Sequence, residues 1–210
     1  MTEEQKDRLS IYREFGDNAQ KAYNFVFGTA QCVNDSHSVK DGVYIIYNDG
    51  GYEPFNGKNR KDNISKIGLV LGEKKICIGL KDKGDYYLTN NKNDGASGKY
   101  YDNSIDAFSD WDGEVNTEHI KSTGTGIPLD DGEFIPSAGQ IGFINLFLKS
   151  VNETLRYVGG EELEGYYWTS TELSSMLAWR LYLSDGALAW MNSSKVGSKY
   201  HVRAVSAFPV

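Results

Sequence analysis

Residues 167–172 read Tyr-Trp-Thr-Ser-Thr-Glu, and Ala-Trp at 178–179, Asp-Gly at 185–186 and Val-Arg at 202–203 follow them. The positions between these anchors show no regular pattern. Aromatic residues and glycines can fix a backbone while the residues between them change. A regular frame with irregular inserts is therefore typical of a recognition surface, and this part of the chain favours a binding role.

The same frame resembles the C-terminal half of C-type-lectin-like domains. It is similar to the Fibrobacter-type major paralogous domain and to the variable proteins of diversity-generating retroelements, which gut bacteria and their phages carry. The segments Trp-Asp-Gly at 111–113, Ile-Pro-Ser at 135–137 and Gly-Gly at 159–160 also fit that group. The resemblance covers roughly residues 43–208 and is most specific from Ser137 onward.

The resemblance implies an α+β, C-type-lectin-like fold with short antiparallel strands and long loops. Residues 1–40 lie outside the resemblance, so the chain divides into an N-terminal segment, 1–40, which its own apolar spacing predicts to be helical, and a ligand-binding domain, 41–210. The resemblance also implies a receptor-binding protein that recognises a protein or glycan on a cell surface and is itself associated with a virion or a cell surface. One alternative is a subunit of a phage tail or surface appendage, in which the same surface packs against a neighbouring subunit.

A second alternative is enzymatic, because formylglycine-generating enzymes share this general fold. Those enzymes use cysteine chemistry in their C-terminal half, whereas Cys32 and Cys77 both lie before residue 80. No Gly-x-Ser-x-Gly motif occurs, and no His follows the hydroxyl residues 169–171 closely enough to suggest a base. We therefore expect no enzymatic activity.

Charge and hydropathy exclude two classes of partner. The net charge is -7, and the 22 Lys and Arg residues form no cluster that would gather phosphates, so nucleic acid is not expected. No apolar run approaches the ~18 residues of a transmembrane helix, so no membrane insertion is expected. The charged start, residues 1–8, lacks the apolar core of a signal peptide.

The N-terminal segment carries two short helical patterns. Thr2 to Gln5 has the spacing of a capping box, and apolar residues then recur at helical intervals up to Val26. The pattern predicts a helical hairpin. This hairpin is expected either to complete the fold or to act as an attachment or homo-oligomerisation segment, since amphipathic helices serve both purposes.

From Val43 the pattern changes to strands. Residues 43–47 end in the turn Asn-Asp-Gly-Gly, and residues 67–71 and 75–80 form a second predicted hairpin. Residues 81–132 are rich in Asn, Asp, Gly, Ser and Thr and are predicted to be mostly loop. Ser137 and Gln140 form a capping box that begins one helix near 137–157, and Gly159 ends it.

No metal or cofactor site is predicted. Asp-Trp-Asp-Gly at 110–113 looks like part of a calcium loop, but the surrounding residues fail the EF-hand spacing. His37, His119 and His201 are too far apart to show zinc-ligand spacing. A single-domain Rossmann-type cofactor site also does not fit the order of the predicted elements.

Alternation along the strand from Trp179 assigns the core and the surface, and Trp168 is predicted to be a further core or cross-strand anchor. Trp179 and the two leucines that follow at period two are predicted to face inward, so Arg180, Tyr182 and Ser184 face outward. Glu172 and Arg203, both positions of the frame, are predicted to form a buried ion pair.

The irregular positions form the predicted ligand surface, in which Arg180, Tyr182 and Trp190 should dominate affinity. Diversification in such retroelements acts on adenines of Asn codons, from which Trp and Met cannot arise. Either the codons of Met176, Trp190 and Met191 were therefore never targets of diversification, or the chain is a fixed paralogue. The Trp190 ring is either exposed for recognition or folded back onto the sheet. The predicted ligand-binding residues are Leu173, Met176, Leu177, Arg180, Tyr182, Ala187, Ala189, Trp190, Ser193 and His201.

Overall fold

Two five-stranded sheets and four helices make up the computed structural model, which describes residues 39–90, 99–184 and 187–209 without the side chains of 187–190. The strands are mostly antiparallel, so the predicted α+β class is confirmed. The helices predicted within residues 1–40 fall almost entirely outside the described residues and stay a prediction. In the part of the chain described, no helix is both long and apolar enough to cross a membrane.

The first sheet begins where the sequence changes to a strand pattern. Its strands are β1 (Gly42–Tyr47), β2 (Tyr52–Pro54), β3 (Ile64–Leu71), β4 (Lys74–Gly79) and β10 (Val205–Ser206), in the order β10-β4-β3-β1-β2. The predicted hairpin between β3 and β4 is present. Its tight turn needs Gly72, whose φ of 57° lies in the left-handed region that L side chains avoid.

Four helices lie between and beside the sheets. They are α1 (Ser104–Phe108), α2 (Gly113–Ser122), α3 (Ala138–Leu146) and α4 (Leu148–Val158). The predicted capping box is present, because the Ser137 side chain accepts from the Gln140 backbone and the Gln140 side chain accepts from the Ser137 backbone. Gly159 ends α4 with a φ of 77°.

The single helix predicted near 137–157 is in fact two. Phe147 interrupts the helical ladder, since its N–H donates to the carbonyl of Ile144, three residues back, and its own φ is -114°. Its ring packs edge-on against Phe143 at 5.7 Å between centroids. A turn of this kind leaves the apolar periodicity intact, so the sequence pattern runs through the break.

The segment 81–132 contains more structure than the predicted loop. It holds α1, α2 and the short strand β5 (Asp85–Tyr86). Helix α2 escaped prediction because its buried face includes Asn116 and Thr117. The Thr117 hydroxyl donates to the Gly113 carbonyl at 2.7 Å and the Asn116 amide to Asp110 at 2.8 Å, so polar side chains are buried without loss of hydrogen bonds.

The second sheet carries the anchors of the C-terminal frame. Its remaining strands are β6 (Gly165–Glu172), β7 (Leu177–Ser184), β8 (Ala187–Ser194) and β9 (Tyr200–His201), in the order β5-β9-β6-β7-β8. A register shift interrupts the β6–β7 pairing between Trp168 and Glu172.

The main core lies between the two sheets around α3 and α4. Ile67 and Ile78 contribute from the first sheet, Ile144 and Leu155 from the helices, and Leu181 from the second sheet. Along β7 the burial alternates as predicted. Trp179 and its two inward leucines are buried, whereas Arg180, Tyr182 and Ser184 are partly exposed.

Two ion pairs, one fully buried and one with a partly exposed acid, replace the one that was predicted. Glu172 pairs with Lys195, both almost fully buried, and the Arg203 Nε lies 2.6 Å from Asp82. The predicted pair of Glu172 with Arg203 is therefore wrong. The reason is that the Arg203 guanidinium also donates to the carbonyls of Gly79 and Glu161, at 2.9 and 3.0 Å, which holds it at the first sheet.

Candidate functional site

The outward side of the second sheet brings together residues from four segments. Strand register places Tyr166 opposite Tyr182 and Met191 opposite Arg180. Tyr200 of β9 packs against Tyr166, and the Ser193 hydroxyl lies 3.0 Å from the Tyr200 hydroxyl. We call this set the tyrosine–arginine face: it comprises Tyr166, Arg180, Tyr182, Met191, Ser193 and Tyr200.

Arg180 occupies the middle of this face. Its guanidinium carbon lies 4.2 Å from the ring centroid of Tyr166 and 4.3 Å from that of Tyr200, within the range of cation–π attraction. Its Nη2 contacts the Met191 sulfur at 3.6 Å, and its buried Nε has no hydrogen-bond partner. Among the described residues it forms no ion pair, so an intact positive charge is held in place by uncharged groups.

The rings of Tyr166 and Tyr200 are each fixed by a further aromatic ring. Tyr166 packs at 4.7 Å against Tyr182, and Tyr200 packs edge-on against Trp168 at 4.9 Å. Trp168 is fully buried, and its indole N–H donates to the Tyr86 carbonyl at 2.8 Å. A buried, hydrogen-bonded ring thus fixes one end of the face, which reduces the entropy lost when a ligand binds.

The positive charge of Arg180 acts on Tyr200. Burial alone would raise the pKa of the Tyr200 hydroxyl, but hydrogen bonds with Ser193 and Ser198 and the charge of Arg180 together hold that pKa below its ordinary value.

Three predicted ligand residues, Arg180, Tyr182 and Ser193, lie on the face. Three more, Leu173, Met176 and Leu177, lie at the turn between β6 and β7. There the Leu173 N–H donates to the Leu177 carbonyl at 2.9 Å, and Met176 is 58% exposed. Leu173 packs partly against the buried Trp179. This turn extends the predicted surface past Leu177, the first residue of β7.

His201 lies apart from the face. Its ring stacks at 5.3 Å on Tyr167, a residue of the main core, and its Nδ1 lies 2.9 Å from Asp85 and 3.6 Å from Asp82. Neighbouring residues of a strand point to opposite sides, so Tyr200 and His201 serve different surfaces.

For Ala187, Ala189 and Trp190 the structure describes the strand register alone. Ala187 pairs with Ser184, Ala189 with Tyr182 and Trp190 with Leu181. Their part in the ligand surface stays a prediction.

Sequence reasoning missed Tyr166 and Tyr200 as members of the face. Tyr166 precedes the quoted frame by one residue, and a cross-strand pairing of β6 with β7 would have placed it beside Tyr182. Tyr200 reaches the face because β9 pairs in parallel with β6. Local sequence patterns do not predict this long-range pairing.

A polar cleft of about 410 Å³ lies elsewhere, at the β1–β2 end of the first sheet. It is lined by Tyr47, Glu53, Asn59 and Arg60, among others. The Tyr47 hydroxyl donates to Glu53, and Arg60 stacks 3.9 Å over the Tyr47 ring and pairs with Asp49. Glu53 and Arg60 in this cleft thus already have partners, which makes it a weaker candidate than the face.

Comparisons with known proteins bear on the fold. No family model matches the sequence, and no curated protein matches it. In structure the chain is similar to a fimbrial protein from Bacteroides ovatus, with a TM-score of 0.59 and 16% sequence identity. The similarity covers 81% of this chain and 49% of that protein, so the chain spans about half of its length. At this identity the likeness establishes a related fold.

Proposed function

We propose that this protein is a binding module that recognises a macromolecule on a cell surface through the tyrosine–arginine face. The observation that carries the proposal is Arg180, a charge stacked between Tyr166 and Tyr200 without an ion pair among the described residues. Arginine and tyrosine are the residues that most often dominate binding energy at interfaces.

The resemblance of residues 167–203 supports a more specific assignment. On that basis the scaffold is a C-type-lectin-like domain, and the protein is a variable protein of a gut bacterium or its phage. In such a protein the frame residues maintain the backbone conformation. The side chains of the face and of the β6–β7 turn can then vary from one protein to another and contact the ligand. We expect no enzymatic activity, since the frame carries no cysteine.

The fimbrial neighbour supports a place on a surface appendage and also a second candidate function. In that candidate the protein is a structural subunit, and the face packs against the next subunit. The two functions differ in what covers the face: a foreign molecule in the first and a copy or sister subunit in the second.

Binding of the labelled protein to arrays of extracellular proteins and of cell-surface glycans tests the proposal. Arg180→Ala and Tyr182→Ala should each reduce binding by roughly tenfold or more, since interface anchors contribute at least that much. Arg156→Ala on α4 and Tyr52→Ala on β2 are the matched controls, because they remove the same residue types from other surfaces.

Two results would count against the proposal. The first is binding that survives both face variants unchanged. The second is a wild-type protein that binds nothing on either array but associates with itself in sedimentation, which would favour the subunit.

A further inference from the structure

We infer that the partner of the tyrosine–arginine face is a protein that presents an Asp or Glu carboxylate to Arg180. This inference rests on the proposed function and names the chemistry that the same face recognises. It starts from the charge balance of the described arginines.

Four arginines lie in the described part of the chain, and three of them pair with a carboxylate. Arg60 lies 3.6 Å from Asp49, Arg156 lies 2.7 Å from Glu162, and Arg203 lies 2.6 Å from Asp82. Arg180 is the exception within the described residues, although the protein as a whole carries a charge of -7. Acids outnumber bases in the sequence, so an arginine without a carboxylate partner among the described residues stands out as a place where a partner could supply one.

The surroundings of Arg180 favour a carboxylate over water. The guanidinium is more weakly hydrated than an ammonium group and presents its donors in a planar fork that matches a carboxylate. Its Nη2 now touches the Met191 sulfur, a weak acceptor, at 3.6 Å in an exposed contact. An incoming carboxylate oxygen would replace that contact with a charge-assisted hydrogen bond, and the flanking rings of Tyr166 and Tyr200 would exclude water from it.

A polyanion such as a nucleic acid fits poorly. Binding to a phosphate backbone draws on several cations at once. The sequence has no cluster of Lys or Arg, and its net charge of -7 repels a polyanion. A single carboxylate, seated on one arginine, avoids that repulsion.

The shape and composition of the face favour a protein partner. The face lies on the side of a sheet, whereas the described cleft lies on the first sheet around Tyr47 and Arg60. Small ligands prefer such concave sites. Tyr, Met and Arg are the residue types enriched where proteins meet, and Met191 is 42% exposed beside Arg180. Aromatic rings and a thioether around one positive charge suit an acidic side chain flanked by apolar residues.

Selection from a displayed library of random peptides tests the inference directly. Peptides are selected on the immobilised protein, with counter-selection against Arg180→Ala. The selected peptides should share one Asp or Glu with apolar neighbours. Changing that residue to Asn or Gln should weaken binding roughly thirtyfold, as expected for an interface anchor. The same peptide change should have almost no further effect on Arg180→Met, because the charge pair has already been removed.

Reversal of the charge at position 180 provides a second test of the inference. Selection on Arg180→Glu should enrich Lys or Arg at the corresponding peptide position, whereas Arg156→Ala should select the same acidic peptides as the wild type. Melting curves that match the wild type show that each variant is folded.

The other outcomes separate the inference from the proposed function. Peptides that need Tyr182 but contain no acidic residue would overturn the inference and leave the proposed function standing. Binding of hyaluronate, a carboxylate polysaccharide, without any selected peptide would overturn the assignment to a protein partner. If no peptide is selected in a way that depends on the face, the inference fails, and the array binding of the face variants alone decides the proposed function.

Discussion

At the scale of single residues, Asp110 joins the helical segment to the second sheet. Its carboxylate accepts from the Asn116 amide at 2.8 Å, from the Thr171 hydroxyl at 2.6 Å and from the Asp112 N–H at 3.0 Å. Its carbonyl accepts from the Ser137 hydroxyl at 2.6 Å. The acidic residue of the apparent calcium motif is therefore a buried hydrogen-bond centre, 2% exposed.

Removal of this centre should be costly. We expect Asp110→Ala to lower the free energy of unfolding by about 3 kcal/mol or more, because the buried donors of Asn116 and Thr171 lose their acceptor. Asp131→Ala, at an exposed turn, should change it by less than about 0.5 kcal/mol. Urea denaturation measures both. Equal stability of the two variants would show that the network contributes little.

Cys77 gives a pH-dependent prediction at the same scale. It is a buried free thiol, while Cys32 lies outside the described residues. Burial raises the pKa of the Cys77 thiol to about 12. Because the folded-state pKa exceeds the unfolded value, this group stabilises the fold fully below about pH 9, and that contribution is lost as pH rises towards 12.

Thiol labelling checks this. In a Cys32→Ser background, Cys77 of the native protein should react with a disulfide reagent at pH 8 only as fast as the protein unfolds, since the thiolate is the nucleophile. Addition of urea should release the full reaction. Rapid labelling of the native protein would contradict the burial of Cys77.

At the scale of elements, β7 separates core from surface by alternation. Trp179 is 6% exposed, and its indole N–H donates to the Tyr101 carbonyl at 2.9 Å. We expect Trp179→Ala to cost about 3 to 5 kcal/mol, the usual penalty for deletion of a core aromatic residue. Arg180→Ala, one position along, should cost about 1 kcal/mol or less, the scale of an exposed cation–π contact. Thermal and urea unfolding measure the loss of stability in both variants. A larger loss for Arg180→Ala than for Trp179→Ala would show that the strand register is inverted.

The same elements show what a sequence reveals and what it hides. The alternation of β7, the β3–β4 hairpin and the Ser137 capping box are local patterns, and all were predictable. Helix α2 was missed because Asn116 and Thr117 occupy its buried face, and the break at Phe147 was missed because apolar spacing continues through it. The two failures have different causes: buried polar side chains leave no hydrophobic pattern in α2, whereas an unbroken apolar pattern hides the break at Phe147.

The candidate site was predictable to the extent that it follows one strand. Arg180 and Tyr182 come from the alternation of β7. The contribution of Tyr166 depends on the β6–β7 register, which shifts after Trp168, and that of Tyr200 depends on parallel pairing with β6. The Glu172–Arg203 pair was wrong for the same reason, because long-range partners are set by the whole sheet and not by the frame.

At the scale of the whole molecule, the fold places an aromatic face on the outer side of a sheet, and the arginine at its middle has no ion pair in the described part of the chain. If the subunit function is correct, that face is covered by a copy or sister subunit. Sedimentation at rising concentration would then show association that Arg180→Ala and Tyr182→Ala weaken. We expect instead that these two variants leave the sedimentation of the isolated protein unchanged while they reduce its array binding.

The central claim is that ligand contacts fall on the tyrosine–arginine face. Hydroxyl-radical footprinting, with and without the protein ligand found on the arrays, tests this claim most directly. A ligand bound to the tyrosine–arginine face should strongly protect Met191 and Tyr182 from labelling and leave the labelling of Tyr52 on the first sheet unchanged. Protection of Tyr52 together with unaltered labelling of Met191 and Tyr182 would contradict this claim.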